Sequence, residues 1–265
     1  MKFYDKENKR LLLFEKKATI DFWDKHWQSD DFAKTVRYGK NSRLIKKFTT
    51  RFLKKDAKIL EGGCGTGQNV YTLGRLGYDC YGVDFAAGTI EEIKQYFPEL
   101  KIDVQDLKKL NFPNCFFDGY WSLGVIEHNF EGYGDILAEA ARVIKPKGYL
   151  FLTFPFMSPL RQAKAYLGLY PLLTARKDET DNFYEFIFDQ NEVKNKICHF
   201  GFAFVSRSPF DAVKGLKDEI SFLKPFLKKI YQSRNILART SRYLVSVLFA
   251  PLFGHSIIMV FQKND

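Results

Sequence analysis

The sequence predicts a doubly wound α/β fold built on a mainly parallel sheet. Short apolar strands alternate with helices through five units between residues 58 and 154, the pattern of parallel strands joined by crossover helices. A glycine-rich turn follows the first strand, and acidic residues follow the next two. Because crossovers are right-handed almost without exception, the carboxyl ends of the strands share one edge, where such sheets bind ligands.

The most specific stretch is 58–84, a strand, a turn, a helix and a second strand. Gly63, Gly65 and Gly67 alternate through the turn, and Asp84 stands at the end of the second strand. Glycines let the backbone approach a ligand closely, and the acid can accept hydrogen bonds from a ribose diol. The third glycine comes one residue too early for the dinucleotide pattern G-x-G-x-x-G.

Periodicity and capping signals place the other elements. Residues 1–17 read as a loose arm or a first helix, 18–54 as one or two helices, and 215–250 as amphipathic helix. Further helices are predicted at 69–76, 86–97, 133–144 and 189–199, the last with Asp189 as N-cap, and strands at 58–60, 81–83, 100–104, 116–124, 149–154, 201–207 and 256–261.

Composition indicates a globular protein. The chain has 265 residues, of which 46% are hydrophobic and 27% charged, and its net charge is +10. The basic residues are spread along the chain, which argues against a nucleic-acid partner. The N-terminal residues lack the apolar core of a signal peptide, and no apolar run approaches the roughly 20 residues of a membrane span, so we expect a cytoplasmic location.

Residues 61–67, EGGCGTG, match the acid-x-G-x-G-x-G motif of the class I S-adenosylmethionine-dependent methyltransferases at every position. Four further segments resemble that family's later motifs in order. They are Asp84, 17 residues after Gly67; Gln105-Asp106-Leu107; the stretches 117–120 and 122–128; and RVIKPKG at 142–148, where Lys147 replaces a glycine.

The resemblance implies a Rossmann-like, seven-stranded, mostly parallel sheet with an antiparallel last strand. It also implies a single methyltransferase domain over 1–265. Within it we expect an N-terminal helical lid at 1–54, an acceptor-side insertion at 155–185 and an amphipathic helical insertion at 215–250. The aromatic residues of the lid either close on the cofactor or only cover the sheet edge.

The implied cofactor is S-adenosyl-L-methionine, with S-adenosyl-L-homocysteine as product. In the family, the acid corresponding to Asp84 binds the ribose and the acid corresponding to Asp106 accepts from the adenine amino group. The residues expected to bind the cofactor are Glu61, Gly62, Gly63, Cys64, Gly65, Gly67, Asp84, Phe85, Gln105, Asp106, Leu107, Ser122 and Leu123.

Glu127 and His128 are the catalytic candidates, because they follow the fourth strand where the acceptor should approach. Histidine can take a proton from a hydroxyl during methylation. The alternative is that the pair only shapes the pocket, since it is common in the family whatever the substrate. The sequence shows no further ligand cluster beside it, so no metal is predicted.

The expected acceptor is a small molecule, most simply a hydroxyl of a sugar, a lipid-linked compound or a secondary metabolite. Residues 154–161, 183–186 and 201–202 resemble bacterial methyltransferases of glycan and secondary-metabolite gene clusters. Arg161 and Lys164 suit an anionic group on that acceptor, or are solvated helix charges. The alternatives are an RNA or protein methyltransferase and a non-catalytic S-adenosylmethionine-binding protein.

Residues 215–250 combine apolar positions at helical spacing with basic residues. Between residues 214 and 242 eight Lys or Arg stand against two acidic residues, a balance of +6. Such a segment can lie on the inner face of an anionic membrane. Alternatively, its apolar stripe packs on the body of the enzyme or on a second subunit in a homodimer.

Overall fold

The computed structural model describes residues 1–15, 17–27, 32–38, 42–173, 182–233 and 235–265. Its strands are β1 (Lys2–Asp5), β2 (Arg10–Phe14), β3 (Lys58–Gly62), β4 (Asp79–Asp84), β5 (Lys101–Val104), β6 (Phe117–Leu123), β7 (Ile144–Pro155), β8 (Phe183–Ile187), β9 (Phe202–Phe210) and β10 (Ser256–Lys263). Its α-helices are α1 (Ile20–Trp27), α2 (Phe32–Tyr38), α3 (Ser42–Phe52), α4 (Gln68–Gly74), α5 (Ala87–Tyr96), α6 (Gly134–Val143), α7 (Pro159–Tyr166), α8 (Gln190–His199), α9 (Ala212–Glu219), α10 (Lys224–Gln232) and α11 (Ile236–Phe253).

Seven strands form the main sheet in the order β5-β4-β3-β6-β7-β10-β9. Neighbours from β5 to β7 run parallel, and β10 is antiparallel to both β7 and β9. The predicted fold class is therefore confirmed. The carboxyl ends of β3, β4, β5 and β6 meet at one edge of this sheet.

The central strands are buried on both faces, as expected of a parallel sheet covered by helices. Because side chains alternate along a strand, neighbouring residues enter different cores. Ile59 and Trp121 pack with α3, α4 and α5 on one face, whereas Leu60 and Tyr120 pack with α6 and α8 on the other. Asp189 caps α8 as predicted, since its Oδ1 accepts from the backbone N–H groups of Asn191 and Glu192.

The N-terminus differs from the prediction. Residues 2–14 form a hairpin of β1 and β2, not an arm or a helix, and β2 pairs with β8 in a separate three-stranded sheet. The helical lid predicted for 1–54 is therefore wrong for 2–14, while the described residues of 20–52 are helical. Leu11 and Leu12 are buried because β2 pairs with β8, which is distant in the sequence.

Both predicted insertions contain regular structure. The segment 155–185 contributes α7 and the strand β8, which the sequence did not indicate, and 174–181 lie outside the described residues. The segment 215–250 is helical as predicted, with α9, α10 and α11 connected partly by a 3₁₀ turn at Ser221–Leu223. Among the helices described, none is long and apolar enough to cross a membrane.

Candidate functional site

A cleft opens at the carboxyl edge of the main sheet, between the ends of β3, β4 and β6. Its walls come from the glycine turn after β3, the residues after β4 and β5, the loop after β6, and α1. It is lined by Ala18, Trp23, Trp27, Glu61, Gly63, Cys64, Thr66, Gln68, Asn69, Asp84, Phe85, Asp106, Leu107, Lys108, Leu123, Gly124, Val125, His128, Asn129 and Ile136.

The glycine turn has the backbone that its sequence requires. Gly63 and Gly65 have φ values of +74° and +50°, a region that side chains disfavour. A Cβ at Gly65 would also lie 2.9 Å from the indole ring of Trp27. The turn can therefore approach both the cleft and α1 only while these positions remain glycine.

Asp84 holds this turn in place. Its Oδ2 accepts from the backbone N–H of Gly65 at 2.8 Å, and its Oδ1 accepts from the N–H of Ala86 at 3.0 Å. The carboxylate is buried at the wall of the cleft, and burial raises its pKa despite these hydrogen bonds. Asp84 can thus orient the turn and still present oxygen atoms to a diol.

Glu61 lies behind the turn with one oxygen unpaired. Its Oε1 accepts from Asn69 Nδ2 at 2.6 Å, while the buried Oε2 has no partner among the described residues. Burial, aided by the nearby charge of Asp84, raises the pKa of Glu61 to about 8. A buried carboxyl with a free oxygen at the cleft is suited to a cationic group of a ligand.

The end of β5 contributes the third acidic position. Asp106 is exposed in the cleft, and its Oδ1 accepts from the N–H of Lys108 at 2.9 Å. Leu107 and Phe85 add apolar surface beside it. A carboxylate between apolar side chains suits a flat heterocycle with an amino group.

The structure brings many of the predicted site residues together at this cleft. Those in its walls are Glu61, Gly63, Cys64, Asp84, Phe85, Asp106, Leu107, Leu123 and His128. Others lie behind the walls, namely Gly62, Gly65, Gly67, Gln105, Ser122 and Glu127. Gln105 holds the loop after β5, since its Oε1 accepts from the N–H of Asn111 at 2.9 Å.

His128 faces the cleft with a defined tautomer. Its Nδ1 lies 2.7 Å from the carbonyl oxygen of Tyr184 on β8, which can only accept, so Nδ1 carries the proton. Nε2 then keeps its lone pair. Burial lowers the pKa of His128 to about 4, so the ring is neutral near pH 7. A neutral imidazole with a free Nε2 can accept a proton.

β8 also places Glu185 beside the Glu-His pair. One carboxylate oxygen each from Glu127 and Glu185 and one ring nitrogen of His128 lie within 4.8 Å of one another. The prediction of no metal depended on the lack of a third ligand, and Glu185 is a candidate for it. Burial raises the pKa of both carboxyls, and the proximity of Glu185 contributes to the shift at Glu127.

Arg161 and Lys164 do not face the cleft, so their predicted role in binding an anionic acceptor is wrong for this structure. Arg161 is fully buried, and its Nε lies 3.0 Å from Glu219 Oε1. Lys164 Nζ lies 2.8 Å from Glu219 Oε2. Both cations therefore hold α7 against α9. Two further basic residues of the insertion, Arg176 and Lys177, lie outside the described part of the chain.

Helix α1 crosses the cleft opposite the sheet. Trp23 meets the ring of His128 edge to face at 5.0 Å and stacks on Trp27 at 5.9 Å. Asp24 fastens the helix to α5 by accepting from the N–H and hydroxyl of Thr89. The sequence showed the aromatic cluster, but only the fold shows that it covers the cleft.

Asn69 and Glu185 are site residues that sequence reasoning missed. Asn69 falls in the first turn of α4, where the pattern after the glycines could have indicated it. No local signal points to Glu185, because its place depends on the pairing of β8 with β2.

Comparison with known proteins indicates a methyltransferase domain. Residues 60–152 match the profile of a family described as methyltransferase domain. The uncharacterized methyltransferase YodH of Bacillus subtilis is 24% identical over 220 residues, which cover 78% of this chain and 85% of YodH. A protein of Mycolicibacterium smegmatis described as a probable S-adenosylmethionine-dependent methyltransferase is 26% identical over 97 residues, 37% of this chain and 37% of its own length.

Solved structures share the fold at low identity. A methyltransferase of Haloferax volcanii, in complex with the activator Trm112, superposes with a TM-score of 0.57 at 16% identity and covers 94% of this chain and 97% of its own. Phosphoethanolamine N-methyltransferase 2 of Haemonchus contortus, solved with S-adenosylhomocysteine, gives a TM-score of 0.54 at 16% identity, covering 93% of this chain and 60% of its own.

The fold and the strand-end cleft define a Rossmann-like methyltransferase domain. The matched domain is that of an S-adenosylmethionine-dependent methyltransferase, and its cofactor is S-adenosyl-L-methionine. The cleft fits that cofactor, because Asp84 can meet a diol, Asp106 an amino group and the unpaired Oε2 of Glu61 a cation.

Proposed function

We propose that this enzyme methylates a hydroxyl group of a small molecule, such as a sugar, a lipid-linked compound or a secondary metabolite. When bound, the cofactor supplies a methyl group on a sulfonium. The observation that carries the proposal is the hydrogen bond from His128 Nδ1 to the Tyr184 carbonyl, which leaves Nε2 free at the cleft. An alcohol must lose its proton as it is methylated, and a neutral histidine can take it.

The walls of the cleft support a small acceptor. Trp23 and Trp27 cover one side of the cleft and Val125 and Ile136 line another, so apolar side chains are available to contact the acceptor. Close alignment of the acceptor oxygen with the methyl group, together with exclusion of water, supplies most of the rate in such a transfer. Glu127 is buried beside His128 in the loop after β6, and its proposed role is to shape the pocket.

The cofactor contacts are proposals as well. Asp84 would bind the ribose, Asp106 the adenine amino group, and Glu61 the cationic end of the cofactor. Gly62, Gly67, Gln105 and Ser122 would act through the backbone that they shape. The names of the two relatives reported above specify no acceptor, so none is assigned to this chain from them.

Transfer of an isotopically labelled methyl group tests the function. Purified protein would be incubated with labelled cofactor and, separately, with small-molecule, lipid, RNA and protein fractions of bacterial cells. We expect label only in the small-molecule or lipid fraction, with His128→Gln as the inactive control that still binds S-adenosylhomocysteine. Label confined to RNA or protein would contradict the proposal, and cofactor binding without transfer to any fraction would identify a non-catalytic protein.

A further inference from the structure

The helical insertion α9–α11 begins and ends at the edge of the sheet where the cleft opens. Ser256, at the start of β10, pairs with Pro155 at the end of β7 and with Phe210 at the end of β9. Because β7 runs parallel to β6, these ends lie at the same edge as the cofactor cleft. A surface formed by the insertion is therefore on the side from which an acceptor enters.

The base of the insertion is fixed to the body of the enzyme. The buried Glu219 at the end of α9 accepts hydrogen bonds from Lys2, Arg161, Lys164 and Tyr170. Gly215 lies so close to the carbonyl of Phe253 that a Cβ there would overlap it. These contacts bury one side of α9 and the end of α11, whereas most of the described side chains of α10 and α11 are exposed.

The side of the insertion that faces away from the enzyme body carries large apolar side chains that are exposed to solvent. On α11, Leu244, Leu248 and Leu252 recur at every fourth residue and are about half exposed or more, with Leu248 at 67%. Before α10, Phe222 is 81% exposed, and Phe226 follows one turn later at 63%. Monomeric soluble proteins rarely expose such a series, so this face is a candidate docking surface.

An apolar groove runs between the three helices beside this series. It is lined entirely by apolar side chains, namely Val213, Leu216, Phe226, Leu227, Val245, Phe249 and Phe253. Two further apolar residues of these helices, Ile230 and Leu237, have side chains outside the described part of the structure.

Charge distinguishes between two possible occupants of this face, a second copy of the chain and an anionic surface. Three lysines and three arginines lie between residues 220 and 253, and no acidic residue does. Lys224, Lys228 and Lys229 are exposed on α10. A second copy in a two-fold interface would bring the same positive charges together, which opposes association. An anionic surface that also accepts apolar side chains complements both features.

We propose that the α10–α11 face binds in the plane of an anionic lipid membrane, with Phe222, Phe226, Leu244 and Leu248 entering the interface. The lysines of α10 lie at the headgroups, and the cleft edge then faces an acceptor held in that membrane. The orientation toward a lipid-linked acceptor depends on the proposed methyltransferase function, but membrane binding itself does not.

Co-sedimentation of the full chain with vesicles tests the proposal. One set contains phosphatidylcholine only, and the other adds about 30% phosphatidylglycerol, both at low salt. We expect binding to the anionic vesicles alone and its loss as salt rises. The variant Lys224→Glu, Lys228→Glu, Lys229→Glu should weaken binding about tenfold or more.

A matched control variant separates the effect of this surface from the effect of net charge. Lys46→Glu, Lys54→Glu, Lys55→Glu makes the same charge change at exposed positions, two of which precede the start of β3 and so lie at the opposite edge of the sheet. It should leave binding nearly intact. The pair Leu244→Ser, Leu248→Ser should weaken binding at every salt concentration, because it removes the apolar contribution.

Several outcomes would overturn the proposal. They are equal binding to both vesicle types, equal loss in the control variant, no binding at low salt, and a dimer in solution that Leu248→Ser dissociates without any vesicle binding. Methyl transfer to a water-soluble acceptor is measured separately without vesicles, so that a failed membrane test and a failed enzyme test are distinguishable.

Discussion

His128 Nδ1 donates to the carbonyl oxygen of Tyr184 at 2.7 Å, which joins the loop after β6 to a strand of the small sheet. This bond selects the tautomer that leaves Nε2 free at the cleft. The same strand places Glu185 near Glu127. The small sheet, which no motif indicated, therefore completes the surroundings of the catalytic candidate.

Replacing His128 should separate catalysis from binding. We expect His128→Gln to lower kcat about 10²- to 10⁴-fold for a hydroxyl acceptor, because the proton acceptor is lost. The affinity for S-adenosylhomocysteine, measured by calorimetry, should stay nearly unchanged. His199→Gln is the control, since His199 is exposed on α8. A change confined to KM would assign His128 to pocket shape instead.

Cofactor affinity should depend on the proton of Glu61. The pKa of this carboxyl is raised to about 8 by burial, so near pH 7 it is mostly protonated without ligand. A cationic ligand group favours the charged form, so binding should release a proton and tighten as pH rises from about 6 to 8. Calorimetry in buffers of different ionisation enthalpy measures that release, and Glu61→Gln should abolish it. Equal proton release in the variant would contradict the role of Glu61.

The raised pKa of Glu61 also predicts a stability effect. The folded state binds this proton more tightly than the unfolded state, so stability decreases as pH rises from about 4.5 to 8. Without cofactor, Glu61→Gln should therefore unfold at a higher temperature than the natural protein at pH 8 and show a smaller difference at pH 5. Thermal unfolding at both pH values checks this, and an equal difference at both would oppose it.

The enzyme should not need a divalent metal. Burial raises the pKa of Glu127 and Glu185, which disfavours the charged carboxylates that bind a divalent metal. We expect EDTA to leave methyl transfer unchanged. Loss of activity that Mg²⁺ or Mn²⁺ restores, and that Glu185→Gln reproduces, would instead make Glu127, His128 and Glu185 a metal site.

Glu219 should be essential to stability. Burial alone would raise its pKa, but the neighbouring Lys2, Arg161 and Lys164 lower it to about 2. Glu219→Gln leaves the buried Arg161 without its carboxylate, so we expect a loss of about 3–5 kcal/mol in unfolding free energy. The natural protein should lose this contribution as pH falls from about 4.5 to 2.

The control is Asp103→Asn, which breaks an exposed ion pair with Lys94 and should cost less than about 1 kcal/mol. Similar losses in both variants would contradict this account.

The sequence by itself determined the alternation of strands and helices, the glycine turn and the acids after the strands. These features are local, because a strand period, a turn with positive φ and a helix cap depend on a few neighbouring residues. The position of the cleft follows from these features, because neighbouring parallel strands have their carboxyl ends at the same edge of the sheet. Asp84, Asp106 and His128 could therefore be placed before the fold was known.

Only the tertiary structure decided the roles of residues whose partners are distant in the chain. Arg161 carries a charge that could bind an anionic substrate. In the fold, however, it is paired with Glu219, which lies 58 residues further along the chain. β2 pairs with β8, which lies about 170 residues away, and β1 pairs in turn with β2. Strand pairing and buried ion pairs gain their free energy from long-range contacts, which local sequence patterns do not contain.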